Sequence, residues 1–134
     1  MVYISHTGPY YQVAEKITQV SKMLQEKNVR TLDACGIFYD DPSTVPQEQL
    51  RSRAGFLVKG AVTVEAPLAI DTVAQREVIV AKVKAHPTVA PLKTYPKMQE
   101  WMKQNNFQAA GPGLEIYHAN GVVECELPIQ PRVQ

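Results

Sequence analysis

Shifted by 78 residues, the chain lies over itself without a gap: Pro9 falls on Pro87, Asn28 on Asn106 and Tyr39 on Tyr117. The apolar positions Ile17, Val20, Met23, Leu24 and Val29 fall on Tyr95, Met98, Trp101, Met102 and Phe107. A repeat constrains a fold strongly, because each copy must be one supersecondary unit that completes its core against the other. Each half begins with a short β-prone run, "VYIS" or "VIVAKV", and meets a Pro-containing turn, "HTGPY" or "AHPTV". Val13, Ile17, Val20 and Leu24 then recur at three-to-four spacing, which places them on one face of a helix. Asn28 and Asn106 stand where that helix should stop, since Asn tolerates the left-handed conformation. A second strand follows ("CGIFY" or "GLEIY"), then a turn and a closing strand ("RAGFLV" or "ECELPI").

The unit is therefore β-α-β-β, repeated at 1–58 and 77–130, with residues 59–76 ("KGAVTVEAPLAIDTVAQR") as a connection holding one extended piece. In the run "GIFYDDPSTVP", Asp40, Asp41, Pro42 and Pro46 end the first half's second strand: Pro lacks a donor and Asp bonds nearby backbone. The predicted fold class is α+β, a tandem duplication forming one antiparallel sheet with two helices on one face and a ligand cleft on the other. At 134 residues and 45% hydrophobic, the chain suits one compact domain with an ordinary core. Met1 is followed at once by a strand, which reads as a module cut from a longer chain.

Charge narrows the partners. Lys and Arg number 14 against 13 Asp and Glu, so no net field gathers nucleic acid or anionic lipid over a distance. The longest apolar runs are far shorter than a membrane span, and the N-terminus lacks the regions of a signal peptide. Cys35 and Cys125 match neither a metal spacing nor a disulfide framework, and His6, His86 and His118 are scattered. The reading is a soluble cytoplasmic chain with no metal, no cofactor and no direct nucleic-acid or membrane contact. "GPG" at Gly111 to Gly113 precedes a strand, not a helix, so it is no phosphate loop.

Strand parity selects the candidate site. Leu114 and Ile116 share one face of their strand, Glu115 and Tyr117 the other. On the closing strand Val123, Cys125, Leu127 and Ile129 form the apolar face assigned to the helices, leaving Glu124 and Glu126 opposite. With Ile37 and Tyr39 sharing a face in the first half, the open face is expected to carry Tyr39, Tyr117, Glu115 and Glu126. Glu115 stands where the first half has Ile37; a carboxylate among apolar neighbours is desolvated and becomes a cation anchor or a general base. The same residue also reads as an ordinary solvated glutamate on an exposed face. Tyr10 reads equally as a pocket wall and as a staple at the helix entrance, and Trp101 sits on the helical stripe with Met98 and Met102, as core filling or as a stacking surface.

The phrases "HTGPYYQV" before a helix, "GIFYDDPSTVPQEQLRSRAGFLV", and "GPGLEIYHANG" before a closing strand together resemble the GyrI-like family, the AraC-type effector-binding domain of bacterial transcription activators. The resemblance covers nearly the whole chain. It implies a duplicated β-α-β-β fold that binds bulky, cationic or aromatic small molecules between its halves, with an acidic residue in the slot held here by Glu115. The family takes in ligand-sensing domains of multidrug-responsive regulators, relatives of a gyrase inhibitor, and proteins that hydrolyse reactive cyclopropane toxins with that glutamate and a tyrosine. Two stretches differ from the usual pattern: "KAHPTVAP" before the second helix and the short "YHANG" turn.

The leading functional expectation is thus a small-molecule binding module whose ligand lies among Tyr10, Ile37, Tyr39, Trp101 and Tyr117, facing Glu115 and Glu126. The first alternative is a hydrolase in which Glu115 acts as general base and Tyr10 or Tyr117 orients the leaving oxygen. The second is a protein-interaction domain of gyrase-inhibitor type. Any DNA reading would fall to a fused or partner domain, and edge strands leave a homodimer open to the chain.

Overall fold

The computed structural model describes residues 1–133. Eight strands and two helices divide between two compact units, Met1–Ala74 and a second from Gln75 onward. The class is α+β, and every strand pair described below is antiparallel.

In the first unit β1 (Val2–Thr7) leads to α1 (Val13–Glu26), β2 (Ala34–Phe38), β3 (Arg51–Phe56) and β4 (Ala69–Ile70). The strands lie in the order β4-β1-β3-β2. The short β4 is the extended piece expected in the connecting segment, and it pairs with Val2 and Tyr3 of β1. Directly paired residues share a face of the sheet, so Ile4, Ala54 and Gly36 form one rung and Val2, Phe56 and Ala34 the next. This face meets α1: Val2 and Ile4 pack with Val20, Leu24 and Leu68 in one cluster. Fully burying a leucine such as Leu24 contributes about 1.5–3 kcal/mol.

The helix stops where expected and for the expected reason. Asn28 adopts φ 56°, its N–H donates to the Gln25 carbonyl at 3.1 Å, and Val29 N–H donates to the Leu24 carbonyl at 3.0 Å. These two bonds are a Schellman motif, which satisfies carbonyls the helix end would leave open. Asn106, at the end of the second helix, also takes the left-handed conformation, with φ 62°. In the β2–β3 connection Asp41 Oδ1 accepts from Ser43 N–H at 2.8 Å, an Asx turn. Asp40 accepts from the Arg51 backbone at 2.7 Å and from its guanidinium at 2.8 and 3.1 Å, closing the loop's base.

The second unit runs β5 (Val78–Lys84), α2 (Ala90–Gln104), β6 (Phe107–Ala109), β7 (Gly113–Tyr117) and β8 (Val122–Pro131). The ten-residue β8 is its spine, paired with β5 and β7 and, at its far end, with β6. The three-residue β6 had no sequence signal: it is too short to show alternation and exists because β8 runs past Ile129. Ala90, Met98 and Met102 of α2 pack on Val123, Cys125, Leu127 and Ile129, the β8 face assigned to the helices. Among the described residues no helix is long and apolar enough to cross a membrane.

The gapless shift of 78 holds for the helices but not for the strands. Val20 and Leu24 superpose in role on Met98 and Met102, all four buried. Helix-facing Ile4, by contrast, falls on Lys82, which pairs with Glu124 on the side away from α2. The residues that do face α2 from β5 are Ile79, Ala81 and Val83. A one-residue slip turns every strand side chain to the other face, so the strand counterpart of Glu115 is not Ile37 but the helix-facing positions Gly36 and Phe38.

Candidate functional site

That slip moves the site. Glu115 pairs with Cys125, and Tyr117 with Val123; Cys125 and Val123 belong to the core under α2, and Tyr117 packs against it. Glu115 and Tyr117 therefore lie on the helix-covered face, not on the face expected from parity. Glu126 pairs with Leu114 and Glu124 with Ile116, so both stand on the other face. The expectation that Glu115, Tyr117 and Glu126 share a face is corrected. Its premise about β7 and β8 singly was right, since each strand alternates as read; the register between them put Glu115 opposite Cys125, and no single strand's pattern contains that register.

Glu115 is 4% exposed. Tyr117 Oη donates to Glu115 Oε1 at 3.0 Å, from two residues along the same strand. Tyr95 Oη, reaching over from α2, donates to Glu115 Oε2 at 3.4 Å. Tyr95 can reach because position 113 has no side chain: a Cβ on Gly113 would stand 2.5 Å from the Tyr95 hydroxyl. Burial pushes the Glu115 carboxyl up to about 7, against the pull of the two phenol hydrogen bonds toward lower values. No basic side chain is among the groups that act on it. The Tyr117 hydroxyl is held well above its ordinary value, first by burial and then by the Glu115 charge.

The arrangement is a carboxyl group in an apolar site, capped by two neutral donors and without a counter-ion among the described residues. It can take a positive charge, or accept a proton near neutral pH. Tyr95 was read from sequence only as part of the helical apolar stripe; a phenol on that stripe, with Gly113 two residues before Glu115, was the signal that could have marked it.

Tyr39 and Ile37 lie in the first unit; Ile37 pairs with Arg53, and the Tyr39 ring, 36% exposed, stands 5.6 Å from the Arg53 guanidinium and 5.9 Å from that of Arg51. Burial, chiefly, pushes the Tyr39 hydroxyl up. Tyr10 is a staple: its hydroxyl accepts from Asp40 N–H at 3.0 Å, lies within donating distance of the Asp40 and Arg51 carbonyls, and its ring packs edge-on against Phe38 at 4.9 Å. Trp101 is 41% exposed and stacks on Phe107 at 5.5 Å, so it leaves the buried stripe to Met98 and Met102. Glu126 rises to about 7 through burial and the neighbouring Glu124 charge, whereas Glu124 is lowered, first by the hydrogen bond from Glu126 and then by His118. The buried thiols of Cys35 and Cys125 are pushed up to about 12 and about 11, which removes them as nucleophiles. Among the described residues no group of three or more His, Cys, Asp or Glu could hold a metal ion.

Comparison with known proteins adds to this geometry. The model of the GyrI-like small-molecule binding domain matches residues 1–129. The crystal structure of the EcmrR C-terminal domain superposes with a TM-score of 0.77 at 12% identity, covering 98% of this chain and 91% of that one. EcmrR in the cryo-electron microscopy structure of the EcmrR–DNA complex in EcmrR-RPo gives 0.78 at 10% identity, again over 98% of this chain. This chain spans 54% of that longer one. At these identities the likeness is one of fold. None of the curated proteins matches the sequence.

Proposed function

The chain belongs to the GyrI-like small-molecule binding domain family, and from that premise we propose that its second unit binds a small organic cation with an aromatic or bulky apolar body, anchored by Glu115. The observation that carries this is the missing counter-ion. A buried carboxyl with only phenol partners is costly to ionise. A ligand that brings a positive charge into the site supplies what the fold withholds, and its binding draws the carboxyl into the charged form. Tyr95 and Tyr117 add ring faces for a cation and hydroxyls for orientation. The family resemblance and the EcmrR fold support a sensing role within a transcription regulator. α1 and α2 both spend their apolar faces on strands, so DNA contact falls to another domain or chain.

Thermal melting of the protein and of Glu115→Gln, with aromatic quaternary ammonium ions and their neutral isosteres, tests the reading. Cations raise the melting temperature of the native chain, with the logarithm of ligand concentration once it exceeds Kd, neutral isosteres do so less, and the variant loses the difference. Equal stabilisation of both proteins by cations removes Glu115 as anchor.

A second reading rests on the same residue. A carboxyl whose pKa is about 7 is matched to proton transfer at neutral pH. Glu115 would then direct a water onto an electrophilic carbon while a tyrosine hydroxyl steadies the departing oxygen. Turnover of a neutral electrophile that vanishes in a folded Glu115→Gln protein supports the hydrolase, whereas saturable cation binding without turnover supports the binding module.

A further inference from the structure

Two polar atoms in the first unit, His6 Nε2 and Ser52 Oγ, are buried and have no hydrogen-bond partner among the described residues. They belong to one rung: His6 of β1 pairs with Ser52 of β3, which pairs with Phe38 of β2. All three side chains therefore stand on the α1 side. Ser52 is 2% exposed. The next rung on that side is Ile4, Ala54 and Gly36. The Phe38 ring lies over Gly36, where a Cβ would stand 2.9 Å from it. Gln12 closes the other side: a Cβ on Gly8 would meet Gln12 Oε1 at 3.1 Å and His6 Nε2 at 3.2 Å, so amide and imidazole converge on one point.

Buried polar groups are paired as a rule, and two unpaired ones on cross-strand neighbours of one rung call for a partner. We propose that His6 and Ser52, with the Gln12 amide beside them, form a second subsite in the first unit that takes one neutral hydroxyl group. A hydroxyl both donates and accepts, so it can complete the serine and the imidazole together. An ammonium or carboxylate fits less well: neither His6 nor Ser52 belongs to an ion pair among the described residues, and a charge would be buried without its opposite. The hydroxyl has two sources, a small alcohol or phenol on the one hand and a single bound water on the other. His6, Gln12 and Ser52 belong to the first unit and Glu115 to the second.

Nuclear magnetic resonance on the full chain separates the outcomes, with phenol as the probe. Saturable shifts of the His6 ring nitrogens and the Ser52 amide on phenol titration, weakened tenfold or more by Ser52→Ala and unchanged by Glu115→Gln, assign the subsite to an organic hydroxyl. Magnetisation transfer from a long-lived water to the His6 ring or the Ser52 side chain of the native protein, with no phenol response, assigns it to water. The proposal is overturned by a phenol response that survives Ser52→Ala at full strength, or by the absence of both signals.

Discussion

The Tyr95 hydroxyl and Gly113 share one small space: a side chain on Gly113 would stand 2.5 Å from that oxygen. Glycine at 113 is thus part of the Glu115 site, although it carries no functional group. Gly113→Ala should push Tyr95 off Glu115 and cost about 1–3 kcal/mol of stability, the usual range for overpacking a filled core. Because the Tyr95 hydrogen bond lowers the Glu115 pKa, its loss should raise that pKa. Carboxyl carbon shifts of Glu115 followed through a pH titration read the change. A Glu115 that titrates as before in Gly113→Ala would mean that Tyr95 does not act on it.

Tyr117 is the stronger of the two donors, at 3.0 Å against 3.4 Å for Tyr95. Tyr117→Phe should raise the Glu115 pKa more than Tyr95→Phe does. Above pH 8 it should also cost about 1–3 kcal/mol, because a charged, buried carboxylate then loses its best partner. Denaturant unfolding of the two variants at pH 5 and pH 8 measures both effects; equal losses at the two pH values would count against a bond made mainly to the charged form.

Stability should fall as pH rises from about 4.5 to about 7. Glu115 has a folded pKa raised to about 7 from an ordinary 4.5, so the folded state holds its proton across a range in which the unfolded state has released it. The stabilisation is fully present below the unfolded value and is lost as pH passes through the folded one. A shift of this size corresponds to about 3 kcal/mol at most. Glu126 titrates upward in the same direction, but it is more open to solvent and contributes less. Glu115→Gln should therefore flatten most of the slope between pH 4.5 and 7 in urea melts, and a slope left intact would place its cause elsewhere.

Much of this fold could be read in the chain because its signals are local. The helix stripes, the Pro turns and the strand-ending Asp and Pro residues act over a few positions. Asn28 shows the accuracy such signals allow, since its side chain tolerates the φ of 56° that the helix stop requires. Asn28→Gly should be near neutral, while Asn28→Ala should cost about 1 kcal/mol, because alanine lacks the short polar side chain that makes the left-handed region tolerable to Asn. Chemical unfolding midpoints of the pair decide it; equal stabilities would mean that the conformation of residue 28 is not what ends α1.

The site was less legible. Glu115 and Tyr117 were recognised, but which face they occupy depends on the pairing of Glu115 with Cys125, a contact between residues on different strands. The repeat misplaces that information by one residue, because helices tolerate a shift of 78 while strands read it with the wrong parity. A single substitution isolates the error. Ile37 is the position the repeat matched to Glu115, yet it faces away from α1 and pairs with Arg53. A glutamate placed there by Ile37→Glu should titrate at or below the ordinary carboxylate value, drawn down by the neighbouring guanidinium. Glu115 in the same protein should remain near 7. If the new carboxyl instead rose toward 7, position 37 would be as enclosed as position 115, and the two units would present their middle strands to their helices in the same phase after all.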